Sequence, residues 1–169
     1  YEIRPRDWSS DVCSSDLLIC DATPERANFR HFRTTSERAT LNDVALKTAS
    51  LSDAVVDLPR FGVSLCALSD PGAGHRVAVN VELLDPVLAL LRQRFDLVVI
   101  DAPPANHGLL GLALANKADG VVLVIEAERT RTPIAAATLQ SLAVNNAKVL
   151  GAVLNKRRFH IPRFVYRWL

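Results

Sequence analysis

Residues 95–104, which read FDLVVIDAPP, constrain the fold of this 169-residue chain more than any other stretch. Four consecutive apolar residues precede Asp101, and Ala-Pro-Pro follows it. Continuous apolar runs are typical of strands that are buried on both faces of a parallel sheet, whereas half-exposed strands alternate between apolar and polar residues. The stretch therefore predicts a buried parallel strand, at residues 96–100, that ends in a carboxylate.

Other apolar runs along the chain alternate with segments of helical periodicity. Further strands are predicted at residues 17–20, 63–68, 120–125 and 148–154. Helices are predicted at residues 40–46, 51–58, 81–95, 109–117 and 132–144. Alternating strands and helices indicate an α/β fold, in which helices cover both faces of a parallel sheet. No repeat or linker divides the chain, so a single domain is predicted.

Composition narrows the class of protein further. Hydrophobic residues make up 49% of the chain and charged residues 22%, which is enough apolar material for a sizeable core. No apolar run reaches the roughly 18 residues that a membrane-spanning helix needs, so a soluble cytoplasmic chain is expected. Cys13, Cys20 and Cys66 show no zinc-binding spacing, and the last two lie in apolar runs, where buried thiols are expected.

The two ends of the chain differ from its middle. Residues 1–16 show no helical or strand period, and residues 5–17 resemble translated sequencing-adapter sequence; the alternative is a disordered arm rich in Ser and Asp. Residues 156–169 form a basic tail that contains four aromatic side chains and a single tyrosine, Tyr166. Two interpretations of the tail stay open: its aromatic residues pack on the domain, or the tail contacts an anionic membrane surface.

Polar residues at the ends of the predicted strands are the candidates for chemistry. Asp21, Asp101 and Asn155 each follow an apolar run, and ligands of open parallel sheets bind beyond the carboxyl ends of the strands. A carboxylate at such an end can hold Mg²⁺ through water beside a nucleotide phosphate. The alternative for each aspartate is a cap that begins a loop.

The blocks FDLVVIDAPP, ADGVVLVIEAERTRT and KVLGAVLNKRRFHIPRFVYRWL, in this order, resemble the bacterial tyrosine kinase (BY-kinase) family of exopolysaccharide biosynthesis. MinD and ParA partition ATPases are relatives of that family. The blocks TLNDVALKTASLSDAVVDLPRFGVSLCAL and VELLDPVLALLRQRFD are similar to the segments that precede them in the family. The resemblance implies a three-layer parallel sheet of the P-loop NTPase (MinD/ParA-like) type over residues 17–155.

The resemblance also implies roles for the strand-end residues. Asp101 matches the Walker B aspartate, which supports Mg²⁺, and Asp21 matches the first acid of the Walker A′ motif, so the two are the implied catalytic pair. Asn155 matches the residue that contacts adenine. ATP and Mg²⁺ are the implied cofactors of the intact parent. A membrane chain-length regulator, the polysaccharide co-polymerase, is the implied partner at the inner face of the plasma membrane, and homo-oligomers are compatible with the family.

Three departures from the family pattern limit these expectations. No GxxxxGK[ST] run occurs in the 169 residues, so the chain is expected to lack the phosphate-loop strand, by truncation, and not to bind ATP measurably. Thr23 stands where the second Walker A′ acid is expected; its hydroxyl can contact a metal-bound water but cannot act as a carboxylate base. The tail contains one tyrosine instead of a cluster.

These departures keep two other classes of function open. One is a non-catalytic regulatory adaptor that docks on the membrane co-polymerase, and the other is a partition or positioning ATPase of the MinD/ParA type. Nucleic-acid binding is not expected, because no basic stripe occurs outside the tail.

Overall fold

The computed structural model describes residues 16–23, 39–69, 79–104 and 108–157. The chain forms two compact units, Tyr1–Pro103 and Pro104–Leu169, and each is described by itself. The interpretations of residues 1–15 as an artefact or arm, and of residues 158–169 as a packed or membrane-binding segment, lie outside the described residues. The boundaries predicted for the domain at residues 17–155 remain a prediction.

A four-stranded sheet forms the centre of the first unit. Its strands are β1 (Leu17–Asp21), β2 (Val56–Leu58), β3 (Val63–Ala67) and β4 (Leu97–Asp101), in the order β2-β3-β1-β4. Strand β1 pairs in parallel with β3 on one side and with β4 on the other, whereas β2 pairs with β3 in antiparallel fashion. The parallel α/β architecture predicted from the sequence is confirmed, with one antiparallel edge strand added.

Three α-helices of the first unit are α1 (Leu41–Ala45), α2 (Leu51–Ala54) and α3 (Asp85–Arg94). Single turns of 3₁₀-helix occur at Pro59–Phe61 and Val81–Leu84. The largest fully buried side chains of this unit belong to the central strand and to the helices, and they are Leu18, Cys20, Asp21, Leu41, Leu84 and Leu91. Burial of the apolar members is the main driving force for folding this unit, at about 1.5–3 kcal/mol for each fully buried large side chain.

The helix predicted for residues 51–58 is wrong in its second half. The helix ends at Ala54, and Val56–Leu58 form strand β2. The β-branched Val56 favours an extended backbone, and Pro59 prevents Leu58 from being helical. Ser64 donates a hydrogen bond of 2.6 Å to Asp57 across the antiparallel pair, which adds a contact that only the strand conformation makes.

The predicted start of α1 is confirmed in detail. Thr40 is the N-cap: its side-chain oxygen accepts from the Asp43 N–H, while the Asp43 carboxylate accepts from the Thr40 N–H at 2.7 Å. This reciprocal pair is a capping box, which satisfies two backbone donors that a helix end otherwise leaves open. Thr40 is 2% exposed, so both bonds are shielded from water.

The second unit contains the helices α4 (Leu110–Lys117) and α5 (Thr132–Val144) and the parallel strands β5 (Val121–Glu126) and β6 (Val149–Asn155). The helix predicted for residues 132–144 is confirmed at both ends. Ala115, Leu142 and Ala147 form a small buried cluster, against which Val121 and Val149 pack. This cluster places α4 and α5 on one face of the two-stranded sheet.

The other face of the two-stranded sheet differs from the expectation that helices cover both faces. Val122, Val124 and Val153 are 53%, 62% and 51% exposed, and they lie on the face opposite to Val121. Alternation explains the exposure of Val122 and Val124 on β5, because successive side chains point to opposite faces and the buried cluster occupies only one of them. On β6, every residue from Leu150 to Asn155 is exposed.

Among the described residues, no helix combines the length and the apolar character that crossing a bilayer requires.

Cys20 and Cys66 are buried free thiols, as predicted, and lie opposite each other on β1 and β3. The side-chain hydrogen bond with Cys20 and burial raise the pKa of the Cys66 thiol well above its ordinary value of 9.0, and the negative charge of Asp21 adds to the effect. In the unfolded chain the thiol loses its proton near the ordinary value, whereas in the folded chain it keeps the proton to higher pH. The stability contributed by this thiol is therefore complete below pH 9 and is lost as the pH rises above it.

We therefore expect the free energy of unfolding to fall above pH 9, by up to about 1.4 kcal/mol per pH unit for one proton. Urea denaturation between pH 8 and pH 10.5, compared between the unchanged chain and Cys66→Ala, measures the difference in slope. The alanine variant is expected to be less stable at pH 8 but to lose less stability with rising pH. Equal slopes in the two proteins would contradict the raised thiol pKa.

Candidate functional site

The carboxyl ends of β1 and β4 bring two of the predicted site residues together. Asp21 is the register partner of Asp101, and the backbone pairing continues one residue further, where the Ala22 N–H donates to the Asp101 carbonyl at 3.0 Å. On the other side, the Leu68 N–H donates to the Asp21 carbonyl at 2.8 Å. Register partners in neighbouring strands are about 4.8 Å apart and share a face of the sheet, so both carboxylates project from the same face and edge.

Asp21 is buried, with 2% of its surface exposed, and its two carboxylate oxygens have different surroundings. Oδ1 accepts two hydrogen bonds from Thr23, one from the backbone N–H at 2.9 Å and one from the hydroxyl at 2.5 Å. Oδ2 is equally inaccessible to water and has no hydrogen-bond partner in the described part of the chain. A buried charged oxygen without a partner is costly, and such an oxygen in a native structure requires an explanation.

Asp101, by contrast, is exposed, as is Ala102 after it, whereas Pro103 is buried. The pair therefore consists of one carboxylate in the protein interior and one at the surface. Mg²⁺ is usually held by one or two carboxylates and keeps several of its waters. A buried ligand oxygen next to an exposed one suits a partly hydrated ion of this kind.

Larger metal clusters are absent from the described segments, in which no group of three or more His, Cys, Asp or Glu side chains lies close enough together to hold an ion. The two aspartates are therefore the candidate ligands for a hard divalent cation at this sheet edge, and Oδ2 of Asp21 is the carboxylate oxygen without a partner among the described residues. Asp21 and Asp101 fit Mg²⁺ in charge, in ligand type and in position at the sheet edge.

Asn155, the third predicted residue, lies in the second unit at the carboxyl end of β6. Its backbone carbonyl accepts from the Ala127 N–H at 2.8 Å, and its side-chain Oδ1 accepts from the Lys156 N–H at 2.8 Å. The side-chain amide nitrogen is the group of Asn155 that can donate to a ligand. The role of Asn155 at an adenine base remains a prediction.

Glu126 forms an ion-pair cluster next to Asn155 that the sequence reasoning missed. Glu126 is the register partner of Asn155, and its carboxylate is 3.2 Å from the Lys156 ammonium and 3.4 Å from the Arg129 guanidinium. The hydrogen bond from Lys156 and the charges of both cations lower the pKa of Glu126. The signal was present in the sequence, because Glu126 and Lys156 both stand where an apolar strand ends and parallel strands end at the same edge.

Sequence comparison finds two curated relatives and no matching family model. The succinoglycan biosynthesis transport protein ExoP of Rhizobium meliloti is 30% identical over an alignment of 172 positions. The alignment covers 83% of this chain and 22% of ExoP. The tyrosine-protein kinase YwqD of Bacillus subtilis is 38% identical over 64 residues, which cover 38% of this chain and 27% of YwqD. The chain thus matches about a quarter of the length of each relative.

Structural comparison gives matches over most of the chain. The kinase domain of VpsO superimposes with a TM-score of 0.72 at 27% identity, over 85% of this chain and 71% of that domain. The septum site-determining protein MinD of Pyrococcus horikoshii, solved with Mg-ADP, superimposes with a TM-score of 0.67 at 21% identity, over 90% of this chain and 63% of MinD. The MinD match shows a shared fold. Together, the relatives and the VpsO match show that the chain is similar to bacterial tyrosine kinase domains in sequence and fold.

Proposed function

We propose that this chain is part of a Mg-ATP-dependent protein of exopolysaccharide biosynthesis, a tyrosine autokinase or an ATPase, and that it supplies the metal-side carboxylates of the active site. The observation that carries the proposal is the pair Asp21 and Asp101, in register at the ends of adjacent parallel strands. The relatives support the biological process, because one is described as a succinoglycan biosynthesis transport protein and the other as a tyrosine-protein kinase.

Each proposed site residue has a distinct task. Asp101, exposed at the end of β4, holds Mg²⁺ through one or more of its waters. Asp21 presents its unpartnered Oδ2 from the interior to the same ion or to a water bound to it. For Asn155, in the second unit, the family resemblance is what supports a contact between its side-chain amide and an adenine base. Bound ATP would supply the transferable phosphoryl group, and Mg²⁺ would neutralise the negative charge that develops on that group.

The phosphate loop typical of such ATPases is missing from the 169-residue sequence. A GxxxxGK[ST] loop supplies the backbone N–H groups and the lysine that cradle phosphates, and no such run occurs in the sequence. We therefore assign ATP binding to a longer protein of which this chain is a part. A titration of the 169-residue chain with ATP tests this assignment, because a micromolar dissociation constant would contradict it.

The decisive experiment recovers the codons that precede Leu17 from the source genome and expresses the longer chain. If these codons encode a loop ending in Gly-Lys-Thr or Gly-Lys-Ser, we expect Mg-dependent ATP hydrolysis or phosphorylation on tyrosine. We expect Asp101→Asn to lower the rate at least about tenfold, because the charge that holds the hydrated Mg²⁺ is lost. Asp57→Asn, on the opposite edge strand of the sheet, is the matched control and should leave the rate unchanged. Equal activity of Asp101→Asn and of the unchanged protein would overturn the assignment of Asp101.

A non-catalytic adaptor is the second candidate, and two observations in the sequence favour it. Thr23 stands where the family resemblance expects an acid, and Tyr166 is the only tyrosine of the tail. In this version the domain keeps its fold and docks on a membrane polysaccharide co-polymerase at the cytoplasmic face of the membrane. A degenerate phosphate loop in the recovered codons, with cosedimentation on membranes that contain the co-polymerase, would favour the adaptor over the enzyme.

A further inference from the structure

Thr23 makes a contact that its position in the sequence does not reveal. Both of its donors, the backbone N–H and the hydroxyl, bind the same carboxylate oxygen, Oδ1 of Asp21. The sequence suggests a different task, which is to hold a metal-bound water in place of the missing acid. In the structure the hydroxyl proton is committed to Asp21, so Thr23 acts on its neighbour two residues earlier in the chain.

Two hydrogen bonds to one oxygen fix the orientation of the Asp21 carboxylate. The terminal torsion of an aspartate is broad when nothing holds it, so its two oxygens exchange positions readily. Hydrogen bonds to a charged acceptor are about twice as strong as neutral ones, and two of them on Oδ1 hold the plane of the group. The second oxygen, Oδ2, is then presented in one direction, buried and without a partner among the described residues.

The backbone around this contact is equally well defined. The N–H of Ala22, between the two residues, donates to the carbonyl of Asp101, and the carbonyl of Asp21 accepts from Leu68. The Thr23 contact is thus built on a segment that is paired on both sides, with Asp101 as the register partner of Asp21. Any ion that bridges the two aspartates would meet a carboxylate whose orientation is already set.

We propose that Thr23 is a positioning residue, which orients the Asp21 carboxylate so that Oδ2 faces a divalent cation shared with Asp101. The inference rests on the proposed metal-side function of the two aspartates and deepens it. In this arrangement Thr23 does not replace the second acid of the motif but holds the remaining acid, Asp21, in place. The cation gains affinity because the carboxylate loses little rotational freedom when the ion binds.

The test measures Mn²⁺ binding to the 169-residue chain by the loss of the free Mn²⁺ signal in electron paramagnetic resonance. We expect Thr23→Val to weaken binding about five- to tenfold, because the charge-assisted hydroxyl bond is lost while the shape of the side chain is kept. Thr23→Ser restores the hydroxyl and should bind within about twofold of the unchanged chain. Mg²⁺ should displace Mn²⁺ from all of the variants that bind it.

Thr48→Val is the matched control, since the Thr48 hydroxyl donates to the backbone carbonyl of Asp43 at an exposed position away from the pair. It should leave Mn²⁺ affinity unchanged. Circular dichroism and a urea titration show that each variant is folded under the assay conditions, so a change in affinity is measured on folded protein. If Thr23 has only a structural role, Thr23→Val should be less stable, but its folded fraction should bind Mn²⁺ as tightly as the unchanged chain does.

The outcomes separate the inference from the function on which it rests. If the unchanged chain binds Mn²⁺ and Thr23→Val binds it equally well, the positioning role is overturned and the metal site remains. Weakened binding in both Thr23→Val and Thr23→Ser also overturns it, because the hydroxyl is then not the cause. Absence of saturable Mn²⁺ binding in the unchanged chain, together with unchanged activity of Asp101→Asn in the longer protein, overturns the metal site and the inference together.

Discussion

Asparagine in place of Asp21 should make the first unit more stable and at the same time remove its binding of divalent cations. Asp21 is 2% exposed and carries a buried oxygen without a partner in the described residues, so its charge is held in the interior at a cost. Asparagine keeps an oxygen that can accept from Thr23 and removes the charge. We expect the free energy of unfolding to rise by about 1–2 kcal/mol, because an unsatisfied buried group costs less when it is neutral than when it is charged.

Cation binding should change in the opposite direction. An amide is a much weaker ligand for Mg²⁺ than a carboxylate, and the site would then keep only Asp101 as a charged ligand. We expect Mn²⁺ affinity to fall at least about tenfold, which corresponds to 1.4 kcal/mol. Urea denaturation and Mn²⁺ binding on the same protein sample measure the two changes together.

Asp57→Asn is the control for this prediction. Asp57 is exposed on β2 and accepts a hydrogen bond from Ser64, so its replacement removes a partnered charge far from the pair. It should not raise stability, and it should leave cation binding unchanged. A loss of stability in Asp21→Asn would show that the buried carboxylate is held by favourable contacts, and the case for a ligand at Oδ2 would then fail.

The adjacency of Asp21 and Asp101 could be predicted from the sequence for a simple reason. Each follows a continuous apolar run, such runs form parallel strands, and the carboxyl ends of parallel strands meet at one edge. The start of helix α5 could be predicted because Pro133 fits the first turn of a helix, where its missing N–H does no harm.

Other features depend mainly on contacts between segments or on side-chain conformations. Strand β2 has three residues, too few to show a period of two, and it forms because β3 lies beside it. The pairing of Glu126 with Lys156 joins residues that are 30 positions apart. The contact of both Thr23 donors with a single carboxylate oxygen depends on the rotamer of Asp21.

The two edges of the four-stranded sheet carry very different sequences. On one side, β2 is three residues long, contains the charged Asp57 and is followed at once by Pro59. Short length, charge and proline are the features by which proteins protect an edge strand from pairing with another chain. On the other side, β4 reads LVVID, with four consecutive apolar residues and no lysine or proline.

Strand β4 therefore lies at an edge of this sheet but has the continuous apolar sequence that is typical of a central strand. Among the described residues its outer side has no partner strand, and Leu97 and Val99 are 56% and 44% exposed. Unpaired backbone N–H and carbonyl groups beside exposed apolar side chains form a template for pairing with another copy of the chain.

We accordingly expect the 169-residue chain to self-associate through β4, and we expect Val99→Lys to slow this association several-fold. A lysine in the middle of an edge strand places a charge in any strand-to-strand contact, and two copies would bring like charges together. Light scattering at matched concentrations, with analytical ultracentrifugation of the soluble fraction, measures the change.

Leu46→Lys is the control: Leu46 is 48% exposed and ends helix α1, so the same charge is added to the same unit away from the strand. If both variants slow association equally, net charge is the cause and the edge of β4 is not. If Val99→Lys alone slows it, the apolar edge that ends in Asp101 is the surface through which these chains associate.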